Sequence, residues 1–244
     1  MGADISSHFI ERLTWDEVAR RIAAGQPAIL PIGAGAKEHG FHLPLNTDRV
    51  QAEWFAARLA EPIDALIWPT VTYGYYPAFV EYAGSASLSC STFEAVIHEI
   101  AAEILGSGCK ALLVLNTGIS TLAPAERALS RLESGKVHHL RIYEGPRYVR
   151  AAETLSQQSY GSHADEIETS LMLAIAPERV REDRAAAGNT RPLRELIGSL
   201  RADGVREVSR NGVLGDPAGA AADEGRTLLV DAAEALLAAL REPE

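Results

Sequence analysis

The chain has 244 residues, 47% of them hydrophobic and 23% charged, with a formal charge of −10 at pH 7. This is the composition of a soluble globular protein long enough to bury one full core. The acidic balance argues against nucleic acid and anionic membrane as partners, because displacing counterions from phosphate takes a positive surface, and no apolar run approaches the roughly 18 to 20 residues of a spanning helix.

Read in order, the chain opens with Thr14-Trp15-Asp16-Glu17, a capping box that starts a helix ending at Gly25. Pro27 to Gly33 is a nearly continuous apolar run, predicting a strand covered on both faces. A charged loop follows, then a helix from about Thr47 to Pro62 and a short strand, Ala65 to Trp68. Residues 69 to 90 lack helical periodicity and read as an irregular excursion. Ser91-Thr92-Phe93-Glu94 is a second capping box, opening a helix that runs to Gly106, and Lys110 to Leu115 is the clearest buried strand. A small polar loop at 116–121 leads to a helix near Ala123 to Leu132. A strand at His139 to Tyr143 and a helix at Pro146 to Ser156 precede the segment Ser159-Tyr160-Gly161-Ser162-His163. Helices then cover Ala164 to Ala176 and Ala221 to Leu240, and residues 177 to 211 read as an excursion. Alternating short strands and longer helices predict a mainly parallel sheet between helical layers, with sites outside the strands' carboxyl ends. No repeat or linker divides the chain, which reads as one domain over 1–244.

Cys90 and Cys109 lack metal-like spacing, and the first residues lack a secretion signal, so reduced thiols in a cytoplasmic protein are expected.

The chemistry concentrates in the loop after the first strand. Glu38, His39, His42 and Asp48 offer two imidazoles and two carboxylates, a mixture suited to a borderline divalent ion such as zinc, manganese or iron. The bland alternative is a loop with hydrogen-bonding histidines and Asp48 capping the next helix. Downstream, His163 stands before a helix on which Glu168 borders the apolar stripe, where a carboxylate needs a partner.

The segments His39-Gly-Phe-His42-Leu-Pro-Leu-Asn-Thr-Asp48, then His163-Ala-Asp-Glu-Ile-Glu168-Thr-Ser-Leu-Met, then Gly215-Asp216-Pro217 resemble the creatininase (creatinine amidohydrolase) family over about residues 11 to 240. The resemblance implies a three-layer α/β/α domain, often hexameric. It also implies hydrolysis of C–N bonds in small cyclic amides or formamides by a pair of divalent ions. His39 and Asp48 keep the family's nine-residue spacing, and Asp48 matches the carboxylate that bridges the two ions. Two departures stand out. Lys37 falls where the family's Glu-x-His places a ligand, leaving Glu38 displaced by one, and Gly118 falls where the family's loop carries a ligand histidine.

The expectation is therefore one ion rather than two, held by Glu38, His39 and Asp48, with His42 as a further ligand. His163 shuttles a proton, Glu168 orients it or completes the metal shell, and Lys37 stabilises an oxyanion or pairs with a substrate carboxylate. Tyr75, Tyr76, Ser120 and Thr121 are the candidate substrate contacts, and the expected partners are a small molecule and further copies of the chain. The rival reading is a relative that has lost its metals and become a binding or regulatory subunit, or one that hydrolyses lactones or forms amides.

Overall fold

The computed structural model describes residues 5–240 apart from 134, 157, 159 and 160. The Ser159–Tyr160 part of the segment before His163 lies outside the described residues.

Among the described residues the sheet has four parallel strands in the order β2-β1-β3-β4: β1 Ala28–Ile32, β2 Leu66–Ile67, β3 Leu112–Asn116 and β4 Val137–Arg141. The central pair runs in register from Ala28 opposite Leu112 to Ile32 opposite Asn116. Side chains alternate between the faces as the pleat requires. Ile29, Leu113 and Leu115 pack on one side with Phe55 and Leu59 of α2 (Thr47–Ile63), Leu171 of α6 (Glu166–Ile175) and Leu228 of α9 (Ala222–Ala239). Ala28, Leu30 and Val114 pack on the other with Phe93 and Ile97 of α3 (Cys90–Gly106) and Ala125 of α4 (Ile119–Leu129). Each such Leu, Ile or Phe contributes about 1.5–3 kcal/mol by leaving water. The result is the expected three-layer α/β/α architecture.

The capping box forms as read: Thr14 and Glu17 satisfy each other at the start of α1 (Trp15–Ala23). The second box is displaced. The Ser89 hydroxyl, not that of Ser91, accepts the Thr92 amide, so α3 begins at Cys90. β4 lies two residues before its predicted position, because pairing with β3 sets Val137 opposite Leu112, and α5 (Pro146–Leu155) follows. Residues 177–211 are more ordered than predicted. They contain α7 (Leu193–Asp203) and α8 (Val205–Val208), whose buried Leu196 and Val205 pack on Tyr76, Phe79 and Tyr82 of the 69–90 excursion. Their apolar stripe is too sparse to stand out among Arg, Asp and Glu.

The order 2-1-3-4 puts the reversal of connection between β1 and β3. The carboxyl ends of these two strands therefore open a crevice, the position where open α/β sheets bind ligands.

Candidate active site

The crevice is drawn tight where β1 ends. A Cβ on Gly33 would lie 2.5 Å from the Asp48 carbonyl, so glycine lets the start of α2 press against the strand. That carbonyl also accepts the Thr117 hydroxyl at 2.9 Å, just past the end of β3. Asp48 is thus stitched to both central strands. The loop before it is pinned by the Glu38 amide to the Ser85 hydroxyl at 2.9 Å and the Lys37 amide to the Leu45 carbonyl at 3.0 Å.

Asp48 is buried and its two oxygens face different groups. Oδ2 accepts from Lys37 Nζ at 2.8 Å, and Oδ1 lies 3.0 Å from His39 Nε2. Burial alone would raise the Asp48 pKa, but the Lys37 ammonium and then His39 overcome it and hold the carboxyl well below the usual range. Lys37 is likewise buried. Desolvation works against its charge, yet Asp48 and Glu168 keep its pKa above the ordinary value, and its ammonium sits 5.0 Å over the Phe79 ring.

His39 Nδ1 can only donate to the Lys37 carbonyl, 2.9 Å away. The other nitrogen, Nε2, meets Asp48 Oδ1 at 3.0 Å and Glu168 Oε1 at 3.6 Å. Two carboxylate oxygens converging on one imidazole nitrogen, with the far nitrogen held by a carbonyl, are an arrangement that could hold a divalent ion. Ligating atoms of His39, His163 and Glu168 also lie within 4.8 Å of one another.

His163 is organised differently. Its Nε2 donates to the Glu38 carbonyl at 2.9 Å and lies 3.2 Å from Glu38 Oε2, while Nδ1 lies 3.5 Å from Glu168 Oε2. Burial would lower the His163 pKa, but the hydrogen bond and charge of Glu38 outweigh it and raise it. Glu38, despite its own desolvation, is held low by the same pairing. Its carboxylate also accepts the Gly40 amide, and Gly212, at φ +86°, has no Cβ to push it away. Ala164 adopts a left-handed φ of 50° and gives its amide to Glu168 Oε2 at 2.7 Å. Holding a non-glycine residue there costs on the order of 1–3 kcal/mol and aims Glu168 at the histidines. Asp165 caps α6, and desolvation raises its carboxyl pKa to about 6.

The residues singled out in the sequence therefore separate. His39, Asp48, Glu168, His163 and Lys37 converge. Glu38 joins them through His163 and not as a third ligand beside Asp48. His42 stands behind, its Nε2 2.9 Å from the Thr169 hydroxyl and its Nδ1 without a hydrogen-bond partner; burial lowers its pKa. Beside Lys37 and Asp48 lies a small cleft, bordered by Tyr76, Gly118, Ile119, Ser120 and Thr121. Tyr75 is not among its lining residues: it packs on the α3 side of the sheet. The sequence reading overlooked Phe79, whose ring lies 4.7 Å from that of His163, and Asn116, whose Oδ1 gathers the Gly118 amide and the Thr121 hydroxyl. Only a polar residue ending an apolar strand hinted at Asn116.

The family profile described as creatinine amidohydrolase matches residues 11–240. Among curated relatives, a mycofactocin precursor peptide peptidase of Mycobacterium ulcerans is 36% identical over 84% of this chain and 81% of its own. One of Mycolicibacterium smegmatis is 31% identical over 87% and 84%, and a creatinine amidohydrolase of Pseudomonas putida is 30% identical over 73% and 75%. Solved creatininases share the fold. One described as creatininase Mn has a TM-score of 0.82 at 23% identity, covering 96% of this chain and 97% of its own. A creatininase mutant of Zn-Zn type has 0.83 at 23%, covering 98% of both. The family match, the relatives and the fold converge: the chain belongs to the creatininase (creatinine amidohydrolase) family, whose named relatives here are hydrolases.

Proposed function

We propose that the chain is a metal-dependent amidohydrolase that cleaves an amide C–N bond with one divalent ion where two are the family's habit. The observation that carries it is His39 Nε2 facing Asp48 Oδ1 and Glu168 Oε1 while Nδ1 is held by the Lys37 carbonyl. Zinc or manganese suits this mixed nitrogen and oxygen set, in keeping with fold relatives described as Mn and Zn-Zn forms.

In this reading His39, Asp48 and Glu168 would hold the ion, which when bound would supply Lewis-acid chemistry for the amide carbonyl and a water. Lys37 fixes the outer oxygen of Asp48 and stands where the second ion's charge is needed. His163, its pKa raised by Glu38, presents Nδ1 towards Glu168 and gives its proton to the leaving nitrogen. The sequence led to a small cyclic amide. Two of the relatives quoted act, by name, on a precursor peptide, which favours a linear peptide amide, with the cyclic amide supported by the Pseudomonas putida relative.

Elemental analysis tests the reading. The purified protein is expected to carry close to one equivalent of zinc, manganese or iron, lost in Asp48→Ala, and to hydrolyse a member of a panel of peptides, lactams and formamides. If no stoichiometric metal is present, and added zinc or manganese neither binds nor restores turnover, the metal-free binding protein is the right account.

A further inference from the structure

The cleft beside Lys37 differs from the ligand cluster in its chemistry. Of the residues that line it, Asp48 is the only carboxylate, and its Oδ2 is already covered by Lys37 Nζ at 2.8 Å. An ammonium has three donors, so Lys37 has more to give than the one bond to Asp48. Tyr76 is 2% exposed, and its hydroxyl has no hydrogen-bond partner among the described residues. Burial pushes its pKa up to about 12, so it stays protonated and its O–H lacks an acceptor. A buried donor left without an acceptor is costly, and a ligand oxygen recovers that cost. The 11-residue helix α4 opens at Gly118 with no side-chain cap, because its N-cap residue is a glycine with no side chain to offer. Ile119, Ser120 and Thr121 of its first turn line the same cleft, with the positive end of the helix dipole behind them. Ile32, Val71 and Ile119 supply apolar wall.

We propose that this cleft is a carboxylate subsite, and that the substrate is a peptide or acyl amino acid whose free C-terminal carboxylate sits between Lys37, Tyr76 and the first turn of α4. Asp48 belongs to both the ligand cluster and the cleft, so the scissile amide lies close to that carboxylate. This deepens the amidohydrolase reading and rests on it for the reaction, though not for the binding.

Calorimetry with N-benzoylglycine and its neutral amide, N-benzoylglycinamide, provides the test. The acid is expected to bind at least about tenfold more tightly than the amide, the value of one hydrogen bond to a charged group. Tyr76→Phe and Ser120→Ala are each expected to erode that preference several-fold while metal content stays unchanged. Equal binding of acid and amide overturns the subsite. So does a preference that survives both substitutions, since the carboxylate is then held elsewhere. An acid preference without turnover of any amide removes the hydrolase reading and leaves the subsite standing; hydrolysis of acids and amides alike does the reverse.

Discussion

The two sides of the Asp48 carboxylate are built to opposite specifications. On the His39 side, acceptors crowd together: Asp48 Oδ1 and Glu168 Oε1 close on one imidazole nitrogen. On the Lys37 side, donors do: an ammonium, an unsatisfied phenol and an uncapped helix end. A surplus of acceptors calls for a cation and a surplus of donors for an anion. In the proposed reading one carboxylate divides a metal site from a substrate site, with Lys37 marking the substrate side.

The largest effect is expected from removing that carboxylate. Asp48→Ala leaves Lys37 charged, buried and unpaired, a loss of about 3–5 kcal/mol in urea denaturation, together with the bound metal. The double variant Lys37→Met with Asp48→Ala is expected to recover much of the stability and none of the metal. If the double variant is as unstable as the single one, the ion pair is not what the loop depends on.

His163 marks the boundary from the other direction. His163→Asn is expected to lower kcat by roughly 10²–10⁴-fold and to leave metal content unchanged; loss of metal would make it a ligand and not an acid. Glu38→Gln removes the charge that raises the His163 pKa, so the alkaline fall in kcat moves to lower pH.

The same pair has a signature in stability. His163 is raised from 6.5, so its contribution is complete below that pH and fades as pH rises through its folded pKa. Glu38 is depressed from 4.5, so its contribution is complete above that pH and fades as pH falls through its folded pKa. The pair therefore stabilises most between 4.5 and 6.5, and thermal melts of wild type and Glu38→Gln are expected to differ most in that window.

The smallest effect comes from Phe79, which touches both sides. Phe79→Leu removes the face under the Lys37 ammonium and the edge contact with His163. A loss near 1–2 kcal/mol is expected, with metal content unchanged.

Much of this was legible in the residues. The apolar runs 27–33 and 110–115 read as buried strands, and Thr14 with Glu17 as a cap, as found. The loop with His39 and Asp48, and the departures at Lys37 and Gly118, could be read against a family pattern. What escaped reading depends on contacts between distant segments. Glu38 turns to His163 because Gly212, 174 positions later, makes room for it. Tyr76 and not Tyr75 faces the cleft because α7 and α8 fold over the excursion, and their stripe rests on the few buried residues Leu196 and Val205. Periodicity within one segment holds no record of such arrangements.

Lys37 also changes what the site owes to its surroundings. A bound ion has a dissociation constant, and its occupancy follows the supply of metal, competing chelators and dilution. An ammonium tethered to the backbone beside Asp48 has none of these dependences. The positive charge that Lys37 sets against that carboxylate is encoded in the gene, so in the proposed reading scarcity of metal can empty only one side of the site.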